Sequence, residues 1–225
     1  MQTIKAVIFD LDGTLLDSLE DLAEAINHAL KEYGYPEHSA GEVKEMVGHG
    51  LGYLVSAAAP GCTEEEALEM KSLFIEYYNK NSQKRTKPYD GIVPLLSRLK
   101  ADGMKLAVVT NKPDVLLGNI LSPIFGDIFD AVTGQIDGMP TKPDPTLTLT
   151  LIGKMGLKPC ECAFVGDSDT DMQTAAGAGA LPIGAAWGYR SRDILAGAGA
   201  KYIADTPADV DKILKSADEK ACRQG

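Results

Sequence analysis

Cysteine is scarce in this 225-residue chain, with only Cys62, Cys160, Cys162 and Cys222 at irregular spacing. That is too few for a disulfide framework, and no second Cys or His pair stands near Cys160 and Cys162 to complete a four-ligand zinc site. Reduced thiols are expected. Basic residues are outnumbered, 22 Lys and Arg against 32 Asp and Glu, for a formal net charge of −10. Nucleic-acid backbones and anionic membranes are held by clustered Lys and Arg, and no such cluster occurs, so neither is an expected partner. Long apolar runs are also missing. Met1 to Lys5 lead into a short apolar stretch ending in acids, which suits neither a signal peptide nor a spanning helix, and a cytoplasmic location is the expectation. With 44% hydrophobic and 24% charged residues the chain should fold unaided, as one large domain or as a domain with an insertion.

What is present is an alternation. Ile4 to Phe9 form a short, β-branched apolar run that stops at an acid, as a buried strand does. Similar runs follow at Met104–Val109, Ile128–Thr133, Cys162–Val165, Leu181–Ile183 and Lys201–Ala204. Between them lie helix-period segments at Ile92–Lys100, Asp114–Leu121, Pro145–Met155 and Asp171–Ala178. Strand then helix, repeated, predicts an α/β fold with a parallel sheet.

Residues 17–84 break the rhythm. Leu19, Leu22, Ala23, Ile26 and Leu30 recur at helical spacing behind a capping Asp17 or Ser18, with Gly34 as a stop. Thr63 and Glu66 read as a capping box that opens a second helix, with a stripe of Leu68, Phe74, Ile75 and Tyr78. Tyr33, Phe74, Tyr77 and Tyr78 are read as packing residues. The expectation is an all-helical insertion at 17–84 within a core made of 1–16 and 85–225.

In open parallel sheets, ligands bind outside the carboxyl ends of the strands. Four times a polar group follows an apolar run: Asp10 and Asp12, Thr110 and Asn111, Lys142, and Asp167 with Asp171. Asp10 and Asp12 are two apart on an extended segment, so both side chains fall on one side. Two like charges about 4 Å apart cost roughly 4 kcal/mol at an effective dielectric near 20, and Asp167 and Asp171 add to this. Such a cluster needs a cation. Carboxylate oxygens without His or Cys suit Mg2+, with Lys142 supplying a fixed positive charge. This constellation allows phosphoryl transfer with Asp10 as nucleophile. Asp12 would protonate the leaving oxygen and later deprotonate water. Thr110, Asn111 and Lys142 would hold the phosphoryl oxygens.

Taken together, Asp10-Leu11-Asp12-Gly13-Thr14, Thr110-Asn111, Lys142-Pro143-Asp144-Pro145 and Gly166-Asp167-Ser168-Asp169-Thr170-Asp171 resemble, in order, the four motifs of the haloacid dehalogenase superfamily, specifically its phosphatases. The resemblance implies a Rossmann-like core with the helical insertion as a mobile cap. It also implies that the Asp10 carboxylate, the Asp12 carbonyl and the Asp167 carboxylate ligate Mg2+, and that Asp171 supports the metal or Lys142. The small cap, Trp187-Gly188-Tyr189-Arg190 and the stretch Ala196–Pro207 are similar to phosphoglycolate phosphatases. The substrate implied is a small phosphorylated metabolite; sugar phosphates, nucleotides and pyrophosphate are the alternatives, as is a phosphomutase reaction. A monomer or homodimer is expected.

Other readings compete. A phospho-aspartate receiver module shares an acidic pair, a hydroxyl and a Lys, but has no helical insertion. Asp171 taken alone could be a helix cap, Asp169 a cap or a solvated charge, and Asp144 a turn residue. His49, between Gly48 and Gly50, could reach the substrate, and Lys44 and Arg190 could pair with a substrate carboxylate. Each could equally be a surface group. The tail from Ser216 to Gly225 is expected to fray.

Overall fold

The structure, a computed structural model, describes residues 3–222 and only the backbone of 218–222. Strand β1 (Ala6–Phe9) leads to the two-residue strand β2 (Leu16–Asp17), then to helices α1 (Leu19–Glu32), α2 (Ala40–Met46), α3 (Leu51–Ala58) and α4 (Glu64–Asn81). The chain returns through β3 (Lys87–Pro88), α5 (Ile92–Ala101), β4 (Lys105–Pro113), α6 (Gly118–Phe125) and β5 (Ala131–Gln135). It continues with α7 (Thr146–Lys154), β6 (Cys162–Gly166), α8 (Asp169–Ala178), β7 (Leu181–Ala185), α9 (Arg192–Gly197), β8 (Tyr202–Ala204) and α10 (Pro207–Cys222). The tail expected to fray from Ser216 is helical as far as Cys222, and residues 223–225 lie outside the described ones.

Six strands form one sheet in the order β5-β4-β1-β6-β7-β8, with all five pairings parallel. The winding reverses at β1, which pairs with β4 on one side and β6 on the other. That is the switch point where a parallel sheet opens a crevice. The period of two sorts the buried residues. Val7, Phe9, Leu106, Val108, Ala163 and Val165 join the core that holds α5 and α10, whereas Ala6, Ile8, Ala107, Val109, Cys162 and Phe164 join the core under α7 and α8. Each fully buried Ile or Phe contributes about 1.5–3 kcal/mol.

The four helices α1 to α4 leave and re-enter beside one another, because β2 and β3 pair antiparallel, Leu16 with Pro88 and Asp17 with Lys87. Asp21 in α1 reinforces this exit by accepting from the Arg85 and Thr86 amides and the Thr86 hydroxyl. The α1 stripe buries Leu22, Ala23, Ile26 and Leu30 as expected. In α4 the Thr63–Glu66 capping box forms, but the buried face is Met70, Phe74 and Tyr78. Leu68 is 62% exposed, since two residues from Met70 it is turned about 200° around the helix axis. Ser18 precedes α1 without capping it; its hydroxyl donates instead to Asp12 Oδ1 at 2.6 Å, a stronger charge-assisted bond. Cys62, Cys160 and Cys162 form no disulfide. Among the described residues no helix is long and apolar enough to cross a membrane.

Candidate active site

Asp10 follows β1 but stays on the sheet, its amide donating to Val165 O. The chain then turns at Gly13, whose φ of +88° suits glycine. A Cβ there would overlap the Asp167 carboxylate, as would one at Gly188, while a Cβ at Gly166 would overlap Asp171. Small residues thus let the acids approach. Carboxylate oxygens of Asp10, Asp167 and Asp171 lie within 4.8 Å of one another, all three residues buried.

Lys142 sits among them, its Nζ donating to Asp10 Oδ1 at 2.7 Å, Asp171 Oδ1 at 2.6 Å and Val109 O at 3.1 Å. Asp171 answers both readings: it closes the α8 capping box, its Oδ2 accepting from the Ser168 amide and hydroxyl, and its other oxygen holds Lys142. Asp167 accepts from the Thr14 hydroxyl at 2.7 Å and the Tyr189 amide at 2.8 Å. Asp169 lies in the first turn of α8, and Asp144 accepts from the Thr146 amide in a turn.

Asp12 is held differently. Besides Ser18, its carboxylate receives Lys112 Nζ at 3.0 and 2.9 Å. Lys112 also donates to the Tyr78 hydroxyl at 3.0 Å, with Nζ 4.2 Å from that ring's centre. Tyr78, read from the sequence as packing alone, therefore has a polar partner in the site. Sequence reasoning assigned no role to Lys112, although it directly follows the Thr110-Asn111 pair; Ser18 was expected as a helix cap, and Thr14 stood in the first motif without a role of its own. That pair is not beyond the strand as expected. β4 extends through it to Pro113, with a register irregularity between Val109 and Pro113.

Three expected contacts look different in place. The Asn111 amide donates to Gly48 O and Lys142 O and accepts from the Lys142 amide, so it ties the Lys142 loop to the helical insertion. Its side-chain polar atoms are engaged by protein partners, not turned to a substrate. Arg190 donates to the carbonyls of Lys44, Glu45 and Val47, satisfying the end of α2. His49 packs against the Tyr53 ring and does not line the cavity, although Gly48 and Gly50 do. That cavity lies over Asp10, Asp12, Thr110 and Lys112, under a wall of Leu22, Val47, Leu51, Leu54 and Phe74.

The charges do not balance. With all four ionised, Asp10, Asp12, Asp167 and Asp171 would face two ammoniums, Lys112 and Lys142, leaving two negative charges uncompensated. Burial lifts Asp10 to about 6, with Lys142 opposing and Asp171 adding to the rise. Burial, then Asp171 and Asp10, lift Asp167 to about 8. Burial disfavours the Lys142 charge, but Asp10 and Asp171 outweigh it and hold the ammonium firmly protonated. An all-oxygen donor set with a surplus of two negative charges fits a divalent cation.

The sequence profile of the haloacid dehalogenase-like hydrolases matches residues 7–185. The chain is similar to a phosphoglycolate phosphatase of Vibrio vulnificus (strain CMCP6), at 33% identity over 96% of this chain and 99% of that one. It is also similar to one of Aquifex aeolicus (strain VF5), at 36% identity over 83% and 86%. Among solved structures, a predicted phosphoglycolate phosphatase from Haemophilus somnus 129PT superposes with a TM-score of 0.88 at 36% identity, covering 95% of this chain and 99% of the other. A buried carboxylate cluster at the switch point, a helical block over it and these likenesses together make the chain a member of the haloacid dehalogenase-like hydrolase family.

Proposed function

We propose that this phosphoric monoester hydrolase releases phosphate from phosphoglycolate, with Mg2+ as its cation, through a phosphoryl group carried on Asp10. The observation that carries the mechanism is the buried Asp10 carboxylate, fixed by Lys142 and facing the same cavity as Asp12. The likeness to phosphoglycolate phosphatases supports the substrate. Asp10 and Asp167 would hold the cation together with the Asp12 carbonyl; both Asp171 side-chain oxygens already accept from protein donors, which suits support through Lys142. Bound there, Mg2+ supplies the charge that lets the acids and a phosphate coexist.

Asp10 attacks phosphorus while the ester bond to the leaving oxygen breaks, and Asp12 gives that oxygen a proton. Water then attacks the phosphoryl group as Asp12 takes its proton, restoring Asp10 and freeing phosphate. Lys142 and Thr110 hold phosphoryl oxygens while charge spreads over them. The helices of 17–84 act as a cap over this chemistry, excluding water when closed. The family match leaves the receiver reading without support. A phosphomutase would return the phosphoryl group to a bound sugar, and product analysis with hexose phosphates detects it. Magnesium-dependent phosphate release should fall at least about a thousandfold in Asp10→Asn with the fold kept. Full activity in that variant would refute Asp10 as the nucleophile.

A further inference from the structure

We infer that Lys112 receives the carboxylate of the substrate, so that the site selects phosphate monoesters with an anionic group one carbon from the ester oxygen. The inference rests on the phosphatase reading above. Of the residues lining the cavity, Lys112 is the cation. Lys142 does not line the cavity; its ammonium lies against Asp10 and Asp171, where the proposed chemistry assigns it to the phosphoryl oxygens. The wall from the helical insertion is apolar, with Leu22, Leu51, Leu54 and Phe74, and offers a second anion no compensation. Arg190, the other cation expected to pair with a carboxylate, is taken up by the three carbonyls at the end of α2.

Position supplies the rest. Lys112 follows Thr110 by two residues along β4, and its side chain is 2% exposed. Its ammonium donates to the Tyr78 hydroxyl and to both oxygens of the Asp12 carboxylate, and a substrate carboxylate would take the place of one of these contacts. Asp12 delivers the proton to the leaving oxygen, and Lys112 Nζ lies 2.9 Å from the Asp12 carboxylate. A carboxylate one methylene from the leaving oxygen therefore falls beside the ammonium, whereas a neutral end leaves it with Asp12 and the Tyr78 hydroxyl. Recognition is thus built next to the bond that breaks, and the helical wall serves to exclude water and longer substrates.

The test compares kcat/KM for phosphoglycolate and 2-hydroxyethyl phosphate, with Mg2+, in wild type, Lys112→Met and Lys112→Arg. Wild type should prefer phosphoglycolate, and Lys112→Met should lose about 10- to 100-fold of that preference, mainly through KM, with part regained in Lys112→Arg. An equal loss on both substrates would mean that Lys112 only orders Asp12, and would overturn the inference. Should Lys112→Met not fold, inhibition of the wild type decides: 3-phosphonopropionate should bind at least about tenfold tighter than 3-hydroxypropylphosphonate, and equal binding overturns it. Wild-type enzyme that cleaves monoesters without such a preference removes this assignment and leaves the phosphatase reading standing. Absence of any magnesium-dependent phosphate release removes both.

Discussion

At the scale of single residues, Lys142 is the hinge of the charge balance, since its ammonium is the partner shared by Asp10 and Asp171. Removing one partner of a buried pair leaves uncompensated charge, at a cost of about 3–5 kcal/mol. Lys142→Met should lose that much stability by urea denaturation at neutral pH along with its activity, and the loss should shrink toward pH 5 as Asp10 takes up a proton. Asp10, Asp12 and Asp167 could be grouped from the sequence because acids directly after apolar runs have few structural explanations, whereas Lys142, well past the Ile128–Thr133 run, stood out through its motif. Lys112 was not, because one Lys after a polar pair looks like any solvated charge until the fold brings Tyr78 and Asp12 to it. Arg190 shows the reverse: a cation in a suggestive motif, spent on the end of a helix.

At the scale of elements, the strands were readable wherever both faces are buried. β4 ran further than its apolar run because Thr110, Asn111 and Lys112 are buried by the site and not by hydrophobicity. α2 and α3 escaped notice, although Ser39 and Glu42 form a capping box at the start of α2. In α4 the phase of the helix decides the packing. Met70→Ala should cost about 2–5 kcal/mol, while Leu68→Ala should stay within about 0.5 kcal/mol. Thermal unfolding of the two variants checks this, and comparable losses would mean that the stripe read from the sequence was right.

For the whole molecule, the surplus of buried acid makes stability depend on pH and on cation together. Asp10 at about 6 and Asp167 at about 8 both lie above the ordinary carboxylate value of 3.8, so the folded protein binds more protons than the unfolded chain. The stability these two sites contribute without a cation is therefore fully present below about pH 4 and is lost as pH rises through about 8. Melting temperatures of chelator-treated protein should drop across that range, and millimolar Mg2+ should flatten the curve most at its alkaline end. A cation-free melting temperature that rises toward pH 8 would contradict the charge surplus.

The ribbon of β2 and β3 bears on how such a molecule can change. Because Leu16 faces Pro88 and Asp17 faces Lys87, the two ends of the helical block emerge side by side. The block is in effect a cassette plugged into a hairpin, and its length and contents can vary without altering the strand order beneath. Recombination at that junction would exchange one helical wall for another in a single event. An engineer could use the same two cut points to graft a foreign block onto this floor of acids.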